Sequence, residues 1–331
     1  MFDAFVQLSL FTAKAFIIVI LILVLLAGIL ALLSRGKEKI NGKVILKNLN
    51  EKFAETTDDL LSEILPKDEY KQWLKEKKRE EKIKKKKLAK RVFVIDFHGD
   101  IKASAVCCLT EEVTAILGVA NKEDEVVVRV ESAGGMVHAY GLAAAQLQRF
   151  RQKNIPLTIA VDKIAASGGY MMATIANKIL AAPFSIIGSI GVVIQLPNFH
   201  RLLKEKHIDF EQLTAGNFKR TLSLFGQNTD EGREKVREEI EDIHQLFKNL
   251  IKENRAQVDI DKVSTGEHWL GTQAMELKLV DALQVSDDYL LEKSKEADVF
   301  QVCYKMKKTI GDKIFSSARA MKLGFSEFLR Y

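Results

Sequence analysis

Three short apolar runs, rich in β-branched and aromatic residues, constrain the fold of this chain more than any other feature. They are VFVIDF at 92–97, EVVVRV at 125–130 and LTIAV at 157–161. Stretches with helical spacing lie between them, at 104–117 and 136–153. Strands that alternate with single helices are typical of βαβ units. The sequence therefore predicts an α/β domain with a parallel sheet and right-handed crossovers.

Three further segments have patterns of apolar residues that predict secondary structure. The apolar stretch at 179–194 contains Pro183 and several glycines, so it predicts core strands joined by turns rather than a membrane span. The segment 230–255 has the spacing of a long amphipathic helix. NLNEKFAETTDDLLSEIL also has helical spacing, with Asn48 or Asn50 as its N-cap.

The N-terminal segment Ala15 to Leu33 contains nineteen residues without a charge. A helix of that length matches a hydrocarbon layer of about 30 Å, so the segment predicts an uncleaved membrane anchor. A removed signal sequence is the alternative, although no convincing small-residue cleavage site follows. Basic residues after the span favour a cytoplasmic domain, but this rule weakens when a large domain must cross the bilayer.

The positive charge of the chain is confined to one segment. Residues 67–91 carry thirteen basic and five acidic side chains, whereas the whole chain has a net charge of +6. This excludes a nucleic-acid-binding face on the folded domain and indicates a solvated helix or a disordered tether. Contact with anionic lipid head groups is an alternative. We divide the chain into an anchor (1–34), a polar stalk (35–91), a catalytic domain (92–290) and a basic tail (291–331).

Two glycine-rich turns follow consecutive predicted strands, and each opens a predicted helix. The first, ESAGGMV, holds Gly134 and Gly135, and the second, AASGGY, holds Ser167, Gly168 and Gly169. In a parallel sheet both turns lie at the carboxyl edge, where ligands bind. Glycine lets the backbone approach a ligand and leaves N–H groups free to donate to an oxyanion. The pair indicates a functional site, although one such turn alone indicates only a tight turn.

Ser167 begins the second helix, so its hydroxyl is either a nucleophile or a helix cap. A nucleophile needs a base, and His138 is the nearest histidine, but no aspartate follows it in an orienting position. Lys163 is one lysine candidate, although a solvated loop position is the simpler interpretation.

The adjacent thiols Cys107 and Cys108 predict ordinary helix packing, and the three cysteines have no disulfide or zinc pattern.

The segment 214–226 supplies the other lysine candidate, Lys219, which has apolar neighbours that include Phe218 and Phe225. A protonated amine cannot accept a proton, whereas burial among apolar groups favours the neutral form. Such a setting could lower the pKa of the Lys219 amine, so Lys219 is a candidate base alongside Lys163.

Several linked motifs in this order resemble the S49 family of serine peptidases. The similarity covers residues 91–290 and rests on ESAGGMV, AASGGY, GSIGVV and TAGNFKR. It implies an α/β fold of the ClpP/crotonase type, with an N-terminal transmembrane helix and a charged helical stalk. It also implies a Ser–Lys dyad in which Ser167 is the nucleophile and Lys219 is the base, with Ser189 orienting the lysine.

The same resemblance implies further properties of the site and its surroundings. Gly135 and Gly168 match the turns that supply oxyanion donors, and no metal or cofactor is implied. The expected partners are a peptide or unfolded polypeptide, the lipid bilayer and further copies of this chain that complete the active site. The implied location is a single-pass protein of the inner (plasma) membrane with a periplasmic domain.

Two functions of other classes stay open at this point. An acyl-CoA enzyme of the crotonase type would use the same paired turns, although we find no glutamate well placed beside the second turn. A non-enzymatic membrane scaffold would use Ser167 only as a helix cap. The leading hypothesis is a membrane-bound serine endopeptidase that cleaves signal-peptide remnants or membrane and exported polypeptides.

Overall fold

The computed structural model describes residues 2–34, 42–84 and 90–306, and one sheet of ten strands dominates them. Its helices are α1 (Phe2–Ser34), α2 (Leu49–Ile64), α3 (Lys67–Lys84), α4 (Val106–Leu117), α5 (Val137–Gln152), α6 (Gly168–Ala173), α7 (His200–Glu205), α8 (Asp230–Asn254), α9 (Ile260–Val263), α10 (Gly271–Glu276) and α11 (Ser286–Lys293). Its strands are β1 (Gly42–Asn48), β2 (Lys90–Gly99), β3 (Glu125–Ser132), β4 (Leu157–Val161), β5 (Ile164–Ala166), β6 (Lys178–Ala181), β7 (Ile186–Gly188), β8 (His268–Leu270), β9 (Ala282–Leu283) and β10 (Ala297–Met306).

The sheet forks at the end of β3. One branch has the strand order β1-β10-β2-β3-β4-β6-β9, and the other runs from β3 through β5 and β7 to β8. The pairs from β10 to β9 and from β3 to β7 are parallel, whereas β8 is antiparallel to β7. The fork arises because residues 126–129 pair with β4, while Ser132 pairs with Ala165 of β5. It brings the turns after β3 and β5 to the same edge.

Alternating side chains of the strands fill two apolar layers. On one face, Phe93, Ile95 and Phe97 of β2 join the larger core with helices α4, α5, α6 and α8. On the other face, Val92 and Val94 join a smaller core with α2 and α11. This two-sided burial agrees with the continuous apolar character of the predicted strands, because both faces of a parallel sheet are covered.

The periodic segments of the sequence have the predicted structures. The strands at 92–97, 125–130 and 157–161 appear as β2, β3 and β4, and the helix at 230–255 appears as α8. The stretch 179–194 contains β6 and β7, as predicted for core strands with turns. Asn48 is the N-cap of α2, since its side chain accepts the backbone N–H of Asn50 at 3.0 Å.

The sheet is wider than the sequence pattern indicated. We expected a polar stalk up to residue 91 and a tail from residue 291, yet β1 and β10 both pair within the sheet. Asn50 links these segments, because its side chain donates to the carbonyls of Ser294 and Ala297 and accepts the N–H of Val299 at 2.7 Å. Pairing between such distant segments has no local signal in the sequence.

Helix α1 belongs to a different compact unit from residues 44–304. Across the described ranges, no helix has the length and apolar character that crossing a bilayer requires. The anchor therefore stays a prediction. Residues 85–89 of the lysine run, and the tail after Met306, lie outside the described residues.

Glu112 is a buried carboxyl on the inner face of α4, only 5% exposed. It accepts the backbone N–H of Tyr304 at 2.7 Å and so joins the helix to β10. Burial is the main cause that raises the pKa of Glu112 to about 7; the nearby charge of Asp96 acts in the same direction, and the hydrogen bond from Tyr304 opposes the rise. Because its folded pKa lies above the value of an exposed glutamate, the native state retains a proton that the unfolded chain loses.

We predict that the free energy of unfolding falls as the pH rises from 5 to 8. The contribution of Glu112 is fully present below the pKa of the unfolded chain and is lost as the pH passes the folded value near 7. A shift of this size corresponds to a loss of about 3 kcal/mol. Urea unfolding of the full-length protein at several pH values measures it.

Glu112→Gln should flatten this pH dependence, because an amide does not titrate in this range. Glu111→Gln, one position earlier on the same helix, serves as the control and should keep the wild-type slope. If the free energy of unfolding of Glu112→Gln depends on pH as strongly as that of the wild type, Glu112 is not the group responsible.

Candidate active site

The two glycine-rich turns lie against each other at the fork of the sheet, as the sequence predicted. Gly134 has φ +90°, and a Cβ placed on it would lie 2.7 Å from both the backbone nitrogen of Gly168 and the Cβ of Ser167. Such distances are far below van der Waals contact, so only glycine permits the observed approach. The backbone of the first turn therefore forms one wall of the site around Ser167.

Ser167 has an unusual backbone conformation between β5 and α6. Its φ is +50° and its ψ is −118°, a region that costs a non-glycine residue about 1–3 kcal/mol. Its N–H donates to the carbonyl of Gly188 at 2.7 Å, and its own carbonyl accepts the N–H of Met171 at 2.9 Å. The side chain makes no capping hydrogen bond, so the helix-cap interpretation of this serine is wrong.

Two backbone N–H groups of the paired turns, those of Gly135 and Gly168, have no acceptor among the described residues. The N–H of Gly134 donates to the Ser132 hydroxyl, and the N–H of Met136 donates to the carbonyl of Ile101. The N–H of Gly135, between them in the sequence, has no acceptor in the described part of the chain. The N–H of Gly168 at the start of α6 is likewise unbonded in the described part of the chain. A free hydroxyl beside two free amides is the arrangement that acyl-transfer chemistry uses.

Ser189 lies at the end of β7, next to the end of β5 that carries Ser167. The two strands pair through Ala166 and Gly188, and Ser189 follows directly. Its φ is +53°, and its N–H donates to the carbonyl of Glu267 at 2.6 Å. The fold thus brings the predicted supporting serine to the same edge as the predicted nucleophile.

Lys219 lies in an irregular segment between α7 and α8, and its side chain is exposed. In a single chain its apolar sequence neighbours do not bury it. Phe225 packs instead against Phe199, at a ring-centroid distance of 6.1 Å, and against Phe210, at 5.7 Å. The Lys219 amine makes no hydrogen bond or ion pair with any residue that the structure describes.

The other candidate bases and nucleophiles are less suited to this chemistry. Lys163 forms a pair with Glu131, whose two carboxylate oxygens both lie 3.0 Å from its amine, and it is exposed. His138 is exposed on α5. Burial and the neighbouring Cys107 raise the pKa of Cys108 to about 12, so Cys108 is a neutral thiol at physiological pH.

An apolar groove of about 510 Å³ begins beside the two turns. Helices α5 and α6 start at these turns, and α8 forms the opposite side. Val137 and Met171 lie at the end nearest the turns, and Leu250 and Phe247 line the α8 side. Such a groove suits apolar side chains of an extended ligand.

Among the described residues, no His, Cys, Asp and Glu side chains are grouped to hold a metal ion.

Sequence reasoning missed two polar residues behind the turns. Ser132 ends β3 and Tyr140 lies on α5, and both are buried at 2% and 0% exposure. Their oxygens are 2.5 Å apart. The sequence does contain a signal for this pair: two hydroxyl side chains lie at predicted buried positions, one on each side of a glycine turn. Because a buried hydroxyl needs a hydrogen-bond partner, the two could have been expected to pair.

Two family models match the chain. The model described as Peptidase family S49 N-terminal matches residues 3–147, and that described as Peptidase family S49 matches residues 149–300. A Haemophilus influenzae protein named Probable protease SohB is 47% identical over 324 residues, 93% of this chain and 91% of that protein. A Buchnera aphidicola (subsp. Acyrthosiphon pisum) protein of the same name is 55% identical over 228 residues, 69% of this chain and 68% of that protein.

These matches, together with the free serine at the paired turns, define the chain first as a peptidase. More narrowly, the chain belongs to peptidase family S49, because both family models and long stretches of high identity agree. Membership of a peptidase family removes the non-enzymatic scaffold as an interpretation.

Solved structures with some likeness also include proteases. A membrane-bound stomatin-specific protease aligns with 62% of this chain and 86% of its own, at 16% identity and a TM-score of 0.42. ClpP1 from Listeria monocytogenes aligns with 61% of this chain and 94% of its own, at 14% identity and a TM-score of 0.39. The family assignment rests on the sequence matches and not on these alignments.

We predict that Gly134→Ala destabilises the protein and displaces Ser167. The new Cβ meets backbone atoms of the second turn, and alanine disfavours the positive φ, so the loss is about 2–4 kcal/mol. Gly141→Ala on α5 is the matched control, because nothing lies within 4 Å of its added Cβ. Alanine in a helix interior should stabilise by about 0.5–1 kcal/mol.

Denaturant unfolding of both variants measures these changes. Equal stability of the two alanine variants would contradict the close approach of the turns.

Proposed function

We propose that this chain is a serine endopeptidase that hydrolyses peptide bonds with a Ser–Lys dyad. Ser167 is the nucleophile and Lys219 is the general base. The observation that carries the proposal is the Ser167 hydroxyl, which caps no helix and stands at a strained turn, in a pair of turns whose Gly135 and Gly168 amides have no acceptor within the described part of the chain. Membership of family S49 supports the same chemistry.

The first half of the reaction forms an acyl-enzyme. Neutral Lys219 takes the hydroxyl proton while the Ser167 oxygen attacks the scissile carbonyl carbon. The carbonyl oxygen becomes an oxyanion, and the N–H groups of Gly135 and Gly168 donate hydrogen bonds to it. Lys219 then passes its proton to the leaving amine, the C–N bond breaks, and the acyl group stays on Ser167.

The second half uses water. Lys219 takes a proton from a water molecule, whose oxygen attacks the ester carbonyl. The same two amides hold the second oxyanion. The bond to the Ser167 oxygen then breaks, Lys219 returns the proton to that oxygen, and the new carboxyl end of the substrate leaves.

We place the dyad between two copies of the chain. Lys219 is exposed in one chain, whereas a general base near neutral pH must lose its proton. The surrounding segment also exposes apolar side chains, with Leu213 at 95% and Phe218 at 47% exposure. A neighbouring copy that covers this segment would bury them and favour the neutral amine. Ser189 would then orient the incoming lysine.

The apolar groove supports a polypeptide substrate with apolar side chains. It starts at Val137 and Met171, directly after the two turns, and continues between α5 and α8. Signal-peptide remnants and segments of membrane or exported polypeptides have this composition, and they are the substrate class that we propose. An acyl-CoA substrate has no comparable support.

We also propose that α1 anchors the enzyme in the inner (plasma) membrane as a single pass, with the peptidase domain on the periplasmic side. The described side chains of α1 include many exposed apolar groups, among them Phe16, Leu21 and Leu25. Exposed apolar surface of this extent is typical of contact with lipid or protein. The basic stalk follows the anchor in the sequence.

We predict that a fluorophosphonate probe labels the full-length protein at Ser167. Ser167→Ala should abolish labelling because the nucleophile is gone. Lys219→Ala should slow labelling by about 100-fold or more, since general-base catalysis contributes 10²–10⁴. Labelling rates on a gel, with substrate turnover in parallel, measure both effects. Equal labelling of all three proteins would end the proposal.

Two controls sharpen this experiment. Lys163→Ala removes a lysine that is engaged with Glu131, and it should label at the wild-type rate. A co-assembled mixture of Ser167→Ala and Lys219→Ala chains should regain part of the activity, because some sites then combine an intact serine with an intact lysine. No recovery in a mixed oligomer would place both groups in one chain.

We predict that removal of residues 1–34 releases the protein from the membrane fraction. Protease added to spheroplasts should digest the domain of the full-length protein, whereas protease added to inside-out vesicles should not reach it. The opposite digestion pattern would put the domain in the cytoplasm, and an unchanged membrane fraction after truncation would argue against the anchor.

A further inference from the structure

A chain of hydrogen bonds lies directly behind the two turns and plays no part in the steps above. The N–H of Gly134 donates to the Ser132 hydroxyl oxygen at 3.1 Å. The Ser132 and Tyr140 oxygens are 2.5 Å apart, and the Tyr140 hydroxyl donates to the carbonyl of Asp100 at 2.7 Å. The chain thus joins the turn after β3 to the loop after β2.

The direction of every proton in this chain follows from counting donors. A tyrosine hydroxyl has one proton, and Tyr140 gives it to Asp100, so the Ser132 hydroxyl must donate to Tyr140. The Ser132 oxygen then accepts from Gly134 with a free lone pair. Burial raises the pKa of Tyr140, which keeps the hydroxyl neutral and able to donate. Bonds aligned in one direction polarise and strengthen one another.

The ring of Tyr140 contacts the second turn. A Cβ on Gly168 would lie 2.7 Å from the ring Cδ2 atom, so the backbone of Gly168 packs directly on the tyrosine face. The ring of Phe97 meets that of Tyr140 at a centroid distance of 6.4 Å in an edge arrangement. Tyr140 is thus linked to the first turn through the Ser132 hydroxyl and contacts the second turn with its ring.

The peptide between Gly134 and Gly135 depends on such support. Gly134 has a positive φ, and neither residue has a side chain that restricts the backbone. The turn is held on one side by the bond from Gly134 to Ser132, and on the other by the bond from Met136 to the carbonyl of Ile101. Loss of the first bond would let the N–H of Gly135 change direction.

We propose that Tyr140, acting through Ser132, is a positioning residue that aims the Gly135 N–H at the oxyanion. This inference rests on the proposed function, because it assigns a task to a donor of that same site. Tyr140 touches neither the substrate nor the reacting atoms.

Tyr140→Phe tests the proposal, since it removes the hydroxyl and keeps the ring under Gly168. The expected result is a fall in kcat of about 10- to 100-fold, because a misdirected oxyanion donor loses part of its effect. KM should change less than twofold. The affinity of a peptide boronate, whose oxygen occupies the oxyanion position, should fall by the same factor as kcat/KM.

Tyr289→Phe is the matched control. Tyr289 is also buried, and its hydroxyl donates to the carboxylate of Glu125 at 2.5 Å, on the opposite face of the sheet from α5. The variant loses one hydrogen bond and should unfold at a lower temperature, with kcat within twofold of wild type. Ser132→Ala breaks the same series of hydrogen bonds and leaves the Tyr140 ring in place. The double variant Ser132→Ala/Tyr140→Phe should have a kcat no lower than that of the slower single variant.

The outcomes separate this inference from the proposed function. If Ser167→Ala is inactive and Tyr140→Phe keeps the wild-type kcat and boronate affinity, the positioning role is wrong and the dyad stands. If Ser167→Ala stays active, the proposed function fails. If Tyr140→Phe does not fold, Ser132→Ala decides the question, and an unchanged kcat in that variant overturns the inference.

Discussion

The contact between the backbones of two turns, at the point where the sheet forks, determines the geometry of the candidate site. Gly134 lies so close to Ser167 and Gly168 that no side chain fits between them. This contact fixes the distance from the serine hydroxyl to the amide of the neighbouring turn. The strained conformation of Ser167 is kept by hydrogen bonds to its own N–H and carbonyl, which offset a cost of about 1–3 kcal/mol.

The α/β architecture and the pairing of the turns were predictable from the sequence, because both depend on local patterns. Apolar runs and helical spacing located β2, β3, β4 and α8 within a few residues. The turns were located by their glycines at equivalent points of consecutive βαβ units. The family resemblance pointed to Ser167 and Ser189, and the fold brings both to one edge.

Features that depend on tertiary packing were not predictable in the same way. The apolar neighbours of Lys219 in the sequence allowed it to be buried, yet Phe225 packs against Phe199 and Phe210, and the lysine is exposed. Ser132 and Tyr140 look like ordinary strand and helix residues until the fold brings their hydroxyls together. In each case the contact that determines the environment of the residue is made by an element distant in the sequence, so no local pattern predicts it.

The strand order has a consequence for biosynthesis. Strand β10 lies between β1 and β2, so the earliest strand of the sheet has no partner until the last one has been made. Domains otherwise begin to fold from the N-terminus during translation. Here β1 and Asn50 are synthesised long before β10, the strand that β1 pairs with and that Asn50 bonds to. A ribosome that stalls before β10 leaves a nascent chain with an unpaired edge on β2, which is a surface for chaperones or for aggregation.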